Sequence, residues 1–504
     1  MSLEPSPLFE PVRWQGAAFE ILDESRIPES LEYIQVNDVS QALEAVREMK
    51  TRAYGQVLTF LYSVALVAQR YPGDDPAALR QRVGELTEQF SAARPTFDFG
   101  GLGSYVQAFF DNLPAHGLVG EVISRQAREF GMQITRGRSA RAKRAADLLP
   151  NPARVLTHCN VSGELVAVAR YCRELGKEFS VLATETRPYL QGARLTAWEL
   201  ARAGVRVALI PDCAVAQVMA RGEVNAVIVG ADRSARNGDI INKVGTYPIA
   251  KIAKEYGVPF HALVQDPRTL ERGADVPIEE RPAAELLWFQ GRPLIEGNHP
   301  NLAARYPAFD TTPAALITHL IGFEAVYTPE TFARKYLGQT GAPSAKAGKA
   351  SYLLLYGVPP QDRYALWARA LETARAESLL IPEMRPELWG ARLAARELLK
   401  VNAPVTLISD NMMGTLFARG EIAKLGFFYQ RLSEDGPVGI AGSLLAVQLA
   451  RLHGVGVEFS SGAERIGAPE DRDVTTFMGR RICPAGVSIH PIEPETVPWR
   501  MLRD

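Results

Sequence analysis

The sequence predicts an α/β protein in three parts: an N-terminal mainly helical domain, a Rossmann-like parallel-sheet domain, and a second, degenerate Rossmann-like domain. Three observations carry this reading. Apolar residues return every three or four positions through the first part of the chain. From Arg154 onward, short β-rich runs alternate with helical stretches. Beyond residue 350, pieces of that second region come back in the same order and at one constant spacing.

The elements follow in chain order. Pro5, Pro7 and Pro11 lead into Val12-Arg13-Trp14, which reads as a short strand, and helical periodicity then runs through Val39–Met49 and Val57–Gln69. The runs Arg154–Thr157, Ser180–Ala183, Val205–Ile210, Ala226–Val229 and Phe260–Val264 are strands separated by helices. That alternation implies a parallel sheet with right-handed crossovers, whose ligands sit at the carboxyl ends of the strands. The polar clusters His158-Cys159-Asn160, Glu185-Thr186-Arg187, Asp212 and Asp232-Arg233 each closely follow one of these strands.

Leu337–Ser351 is rich in Gly, Ala, Ser and Lys with no apolar period and reads as a flexible linker. Past it, Glu185-Thr-Arg-Pro-Tyr-Leu-Gln-Gly-Ala-Arg-Leu195 returns as Glu383-Met-Arg-Pro-Glu-Leu-Trp-Gly-Ala-Arg-Leu393. Leu209-Ile-Pro-Asp212 returns as Leu407-Ile-Ser-Asp410, and Ala220-Arg-Gly-Glu223 as Ala418-Arg-Gly-Glu421. The expected domains are therefore 1–145, 146–336 and 351–504, with 337–350 as linker. At the constant spacing Asp232 falls on Gln430, Asn242 and Lys243 on Ile440 and Ala441, and Cys159 near Gly357, so the second copy lacks the polar residues of the first.

Composition excludes several function classes. Of 504 residues, 56 are Lys or Arg and 57 Asp or Glu, so no global field draws in nucleic acid or an anionic membrane. No basic stretch followed by an apolar run opens the chain, and the longest apolar candidate, Val57–Val67, is about half the roughly 20 residues a bilayer span needs. A cytoplasmic protein acting on a small molecule is expected. Cys159, Cys172, Cys213 and Cys483 lack C-x-x-C spacing and read as free thiols. No phosphate-binding P-loop and no H-E-x-x-H motif occurs, and Gly100-Gly101-Leu102-Gly103 follows no strand, so neither a metal nor a nucleotide cofactor is expected.

Several residues could carry chemistry. Cys159, at a strand end running toward a helix, is either a buried structural thiol or a group whose thiolate or donor character the helix N-terminus favours. Asp232 either caps the following loop or points into the crevice, and Asp239 could serve as that cap instead. Asn242-Lys243 is read as the start of the next helix and a phosphate cradle, though a lone Lys is usually a solvated charge. Gly192, after Gln191, either admits a ligand close to the backbone or packs helix against sheet. Arg52 and Arg94 are either surface groups or reach across to the same phosphate.

Taken together, Thr157-His-Cys-Asn160, Glu185-Thr-Arg-Pro188 with Leu190-Gln-Gly-Ala-Arg-Leu-Thr-Ala197, Gly230-Ala-Asp-Arg233 with Asn237-Gly-Asp239, Asn242-Lys243 with Gly245-Thr246, and Pro307-Ala-Phe-Asp310 resemble the methylthioribose-1-phosphate isomerase family. That family is related to the regulatory subunits of translation initiation factor 2B and to ribose-1,5-bisphosphate isomerase. The resemblance covers nearly all of residues 12 to 336. It implies an aldose–ketose isomerase acting on a 5-substituted ribose 1-phosphate, with Cys159 and Asp232 as catalytic residues and Arg52, Arg94, Gln191, Asn242 and Lys243 holding the substrate. It implies no cofactor. The alternatives it leaves are 5-deoxyribose 1-phosphate or ribose 1,5-bisphosphate as substrate, or a non-catalytic phosphosugar or nucleotide sensor of the initiation-factor type.

Two departures stand out: Arg52-Ala-Tyr-Gly-Gln-Val-Leu58 replaces Arg-Gly-Ala-Pro-Ala-Ile-Gly, expected to reshape the pocket through Tyr54, and Glu164 places a carboxylate after the thiol segment. Relatives pair through their α/β domains. The second copy is therefore expected to occupy the partner's place in an intramolecular pseudo-dimer, which leaves room for further self-association.

Overall fold

The computed structural model describes residues 3–95, 97–113, 118–337, 350–463 and 469–502. Most of the expected linker, residues 338–349, lies outside the described residues.

The N-terminal part opens with a small antiparallel sheet of Val12–Trp14, Phe19–Leu22 and Tyr33–Val36. Helices Val39–Arg47, Tyr54–Gln69, Pro76–Ala93, Phe99–Gln107 and Val119–Leu148 follow. Asp38 caps the first of these through the Ser40 amide, and Asp75 starts the third with Pro76 at its first turn. Helix Tyr54–Gln69 is apolar on nearly every side, which suits a helix buried all round. Phe60, Phe90 and Phe99 meet around it with ring centroids 5.2–5.7 Å apart. Helix Val119–Leu148 runs through position 145 and joins this bundle to the first large sheet, packing on both Tyr54–Gln69 and Glu164–Glu174.

The first large sheet has eight strands in the order Val326–Tyr327, His319–Ile321, Phe260–Leu263, Ala226–Gly230, Ala153–Thr157, Phe179–Thr184, Arg206–Ile210 and Ser488–Ile489. All neighbours are parallel except Val326–Tyr327. A second, fully parallel sheet runs Leu302–Ala304, Val405–Ile408, Ser378–Pro382, Tyr352–Tyr356, Ile422–Tyr429 and Val457–Ser461. Each sheet takes its edge strand from the other part of the chain: Leu302–Ala304 pairs with Val405–Leu407, and Ser488–Ile489 pairs with Ala208–Leu209.

The two sheets share backbone detail. Tyr352 faces Ser378 as Arg154 faces Ser180. Asp212 accepts the amides of Thr186 and Arg187, and Asp410 accepts those of Met384 and Arg385. Both parts carry a π-helical turn, at Gly192–Ala197 and Gly390–Ala394. A Cβ on Gly192 would fall 1.8 Å from the Thr184 carbonyl oxygen, and one on Gly390 1.8 Å from that of Pro382. Gly192 is thus required for packing the turn against the strand.

Helices Val215–Ala220 and Thr246–Glu255 pack against Met413–Ala418 and Ser443–Leu452, and one continuous apolar core spans both sheets. Across this junction Arg187 pairs with Glu383, and Arg385 with Glu185, all four side chains at most 1% exposed.

Candidate active site

Cys159 and Asp232 follow the carboxyl ends of Ala153–Thr157 and Ala226–Gly230, which are neighbours through Val155–Ala226 and Leu156–Val227. Cys159 adopts the left-handed φ of 63°, which is uncommon for a residue with a side chain. Its amide donates to Thr186 Oγ1 at 2.9 Å and its carbonyl accepts from Thr196 Oγ1 at 2.6 Å. The thiol is partly exposed.

Lys243 ends the strand Ile240–Lys243, antiparallel to Phe309–Thr312. The expectation that Asn242 and Lys243 begin a helix is corrected here: the helix starts at Thr246, and the strand delivers Lys243 to the site. Its Nζ lies 4.7 Å from the Phe309 ring centroid and 5.9 Å from that of Tyr189. Tyr189 and Phe309 escaped the residue-by-residue reading, although both lie inside motifs quoted above.

Electrostatics tie five of the expected residues together. Burial pushes the Cys159 thiol up to about 11, the Asp232 charge adding to the shift while Lys243 and Arg52 oppose it. The thiol therefore holds its proton at neutral pH, and of the two characters the sequence left open, the donor applies. Asp232 is exposed as a residue, yet protein atoms crowd around its carboxylate. That enclosure raises its pKa above the usual carboxylate value, and Lys243 and Arg94 pull it back. Lys243 is lowered by burial against the opposing pull of Cys159 and Asp232. Arg94 is likewise lowered by burial and feels Glu279, Arg281, Tyr189 and Arg52.

Arg52 has a further partner, and Gln191 and Asn242 have separate surroundings. Arg52 is steered by Glu24, which accepts its amide at 3.0 Å and lies 4.0 Å from its guanidinium. Asn242 donates one of its two side-chain hydrogens to Thr246 Oγ1 at 2.9 Å, at the helix start. Gln191 is buried, and its Oε1 has no hydrogen-bond partner among the described residues. Asp239 accepts from the Asn237 side-chain amide in its own loop and from the backbone amides of Gly273 and Ala314, which lie in distant segments.

The side chains singled out in the two departures, Tyr54 and Glu164, are engaged with other partners. The Tyr54 ring lies under Arg138 at 4.0 Å, with its hydroxyl 2.5 Å from Thr135 Oγ1, so it packs between helices. Glu164 is fully engaged by Arg138 and Arg141, which hold its carboxyl below the usual range and away from the thiol.

A family model described as the initiation factor 2 subunit family matches residues 52–328, a span that includes every one of these residues. The chain belongs to this family. Members similar to it include the methylthioribose-1-phosphate isomerases of Desulforudis audaxviator, 37% identical over 64% of this chain and 94% of that protein, and of Thermotoga neapolitana, 35% identical over 65% and 98%. The crystal structure of 5-methylthioribose 1-phosphate isomerase from Pyrococcus horikoshii matches with a TM-score of 0.59 and 29% identity, covering 67% of this chain and 97% of that one. The translation initiation factor eIF-2B subunit delta from A. fulgidus matches with a TM-score of 0.57 and 31% identity, covering 65% and 99%. The initiation factor 2 subunit fold thus spans both isomerases and factor subunits, and the site residues must separate them.

Proposed function

We propose that this chain is a sugar-phosphate isomerase of the methionine-salvage type, converting 5-methylthioribose 1-phosphate to the ribulose 1-phosphate. The observation that carries the reading is the meeting of Cys159 and Asp232 with Lys243, Arg52 and Arg94 at the ends of adjacent strands. The isomerase names of the relatives support it. A non-catalytic sensor needs the cations but has no use for a proton-bearing thiol opposite a carboxylate.

A sugar phosphorylated on its anomeric oxygen opens its ring only if the ring oxygen gains a proton as its bond to C1 breaks. Cys159, which keeps its proton at neutral pH, supplies it. The hydrogen on C2 must then pass to C1, completing its CH2, while the C2 hydroxyl loses its proton as C2 becomes a carbonyl; Asp232 accepts that hydroxyl proton, its raised pKa bringing it closer to neutrality. Arg52, Arg94 and Lys243 neutralise the phosphate, and Gln191 and Asn242 orient the sugar hydroxyls.

Residues 351–504 are read as a degenerate duplicate of 146–336, joined by the 337–350 linker to it and preceded by the helical 1–145. The repeated carboxylate and π-turn geometry supports this. The reciprocal Arg–Glu pairs support the duplicate's standing where a partner subunit would, as a pseudo-dimer. One detail of the alignment is corrected: Arg233 faces Ile241 as Arg431 faces Val438, so a residue is lost in that hairpin and Lys243 corresponds to Ile440, not Ala441.

The test is incubation with 5-methylthioribose 1-phosphate, 5-deoxyribose 1-phosphate and ribose 1,5-bisphosphate, followed by NMR. The methylthio ketose should form fastest. Tight binding of all three with no ketose would replace the isomerase by a sensor. Light scattering at two chains per particle, with first copies paired to each other, would contradict the pseudo-dimer.

A further inference from the structure

One buried acid near the site has no part in the chemistry described so far. Glu199 is 1% exposed and lies behind the Cys159 segment. Its Oε2 accepts from the Ser6 hydroxyl and its Oε1 from Asn160 Nδ2 at 3.0 Å, while the Gly163 amide also donates to the carboxylate. The second hydrogen of Asn160 Nδ2 goes to Thr196 Oγ1 at 3.0 Å, and Thr196 passes its own hydrogen to the Cys159 carbonyl oxygen at 2.6 Å. Asn160 Oδ1 accepts the Ser162 amide at 2.8 Å. Burial raises the Glu199 pKa to about 7, and in the ionised form above that pH every hydrogen in this network has one available direction. Glu199 accepts, which turns Asn160. Asn160 then occupies a lone pair of Thr196, so the Thr196 hydroxyl points at Cys159.

The second half of the chain supplies an internal comparison. By the strand registers, Cys159, Asn160, Thr196 and Glu199 correspond to Gly357, Val358, Ala394 and Glu397. Gly357 keeps the left-handed turn, with φ of 92°, but the thiol, the amide and the hydroxyl are all gone. Glu397 persists as a glutamate, yet it pairs with Lys400 at 2.6 Å and Gln361 at 2.9 Å instead of reaching the turn. The turn therefore forms without the network, and the network accompanies the thiol. A requirement of folding alone would have kept it in both halves.

We propose that Glu199 is a positioning residue for Cys159: through Asn160 and Thr196 it fixes the backbone that aims the thiol toward Asp232 and Lys243. This rests on the reading of Cys159 as the reacting thiol. The side chain hydrogen-bonds neither to the thiol nor to those two groups, so its effect is on aim rather than on substrate binding. Misplacement of a reacting group by about 1 Å can cost about 100-fold in rate. Loss of an indirect support should cost less.

The experiment compares Glu199→Gln, Thr196→Val, Thr196→Ser and Glu397→Gln in the full-length chain. For each, kcat and KM are measured together with the pH dependence of iodoacetamide alkylation at Cys159, the partly exposed member of four otherwise buried cysteines. Glu199→Gln turns one accepting oxygen into a donor, so the donors of Ser6, Asn160 and Gly163 converge on a single acceptor. It and Thr196→Val should lower kcat by about 10-fold or more with KM within about two-fold. Both should also move the alkylation midpoint of Cys159 by about half a unit or more. Thr196→Ser, which keeps the hydroxyl, should restore both readouts, and Glu397→Gln should alter neither. Alkylation profiles of Glu199→Gln and Thr196→Val that superimpose on the parent would overturn the proposal, as would Glu397→Gln matching Glu199→Gln. Should Cys159→Ser keep full turnover, the isomerase chemistry assigned to that thiol falls instead, while the alkylation comparison still decides whether Glu199 positions it.

Discussion

The Nε2 of His158 lies 2.9 Å from the carbonyl oxygen of Val244. A carbonyl only accepts, so Nε2 carries the hydrogen and Nδ1 must accept, which it does from Thr184 Oγ1 at 2.7 Å. The ring is neutral, and burial holds its pKa down to about 4. It ties the Cys159 strand to the residue after Lys243, so it spaces the thiol relative to the ammonium. In the second half Tyr356 takes the same part, its hydroxyl donating to the Ala441 carbonyl oxygen at 2.8 Å. His158→Phe should leave the buried Val244 carbonyl without its ring partner, costing about 1–3 kcal/mol, while the Thr184 hydroxyl keeps Thr186 Oγ1 at 3.2 Å. Denaturant titration should show that loss, with a fall in kcat. Unchanged stability would mean that water replaces the ring.

The Arg187–Glu383 pair is a second load across the junction of the two sheets. Both side chains are almost wholly buried, and Arg187 also donates to its neighbour's carbonyl at Pro188. Removing one partner strands a charge, so Glu383→Ala should cost about 3–5 kcal/mol, whereas replacing both partners by Met should cost less than either single change. A double-mutant cycle by thermal unfolding reads the coupling. Additive losses would show that the pair does not hold the sheets together.

Much of this architecture is legible in the chain itself. The five strand runs of the first large sheet are readable because parallel strands buried on both faces are continuous apolar stretches, and the Glu-x-Arg-Pro motif is legible at both Glu185–Pro188 and Glu383–Pro386. What escaped was set by distant residues. Leu302–Ala304 and Ser488–Ile489 are too short to announce themselves and become strands only because an edge elsewhere accepts them. Asn242-Lys243 looked like a helix start because the turn Asn237-Gly238-Asp239 precedes it; the pairing with Phe309–Thr312 makes it a strand. Glu164 looked available to the thiol until Arg138 and Arg141, on a helix far away in sequence, claimed it. The network from Glu199 to Cys159 is likewise three-dimensional, and no spacing rule would find it.

Cys159 and Asp232 should each be indispensable to turnover. Positioned acid–base groups contribute about 100- to 10,000-fold, so Cys159→Ser and Asp232→Asn should each lower kcat by at least about 100-fold. The double variant should lose less than the product of the single losses, because the two groups serve one proton inventory. Near-parental turnover in both single variants would remove the pair from the chemistry.

Lys243 lowers the pKa of Asp232, so its removal has a signed effect on the pH profile. In Lys243→Met the carboxylate loses its nearest opposing charge and titrates at higher pH. If the ionised form of Asp232 is the working one, the acidic limb of kcat/KM should move upward in pH, and KM should rise through loss of a phosphate contact. A limb that stays in place while KM rises would make Lys243 a binding group with no influence on the acid.

Asp310 offers a stability test with a pH sign. It is 1% exposed and accepts the amides of Gly245 and Tyr247, fixing the start of the helix after Lys243. Burial raises its pKa to about 7, the amides opposing the shift. A carboxyl whose folded pKa exceeds its unfolded value binds its proton more tightly when folded. Its contribution is therefore complete below the unfolded value and drains away as pH rises through about 7. Asp310→Asn keeps an accepting oxygen and does not titrate. Relative to the parent, the variant should gain about 2 kcal/mol between about pH 5.5 and 8.5, at roughly 1.4 kcal/mol for each unit crossed below the folded pKa. Thermal melts of both proteins across that range measure the difference. A gap that stays constant would show that Asp310 is already ionised at the lower pH and that the amides, not burial, set its charge.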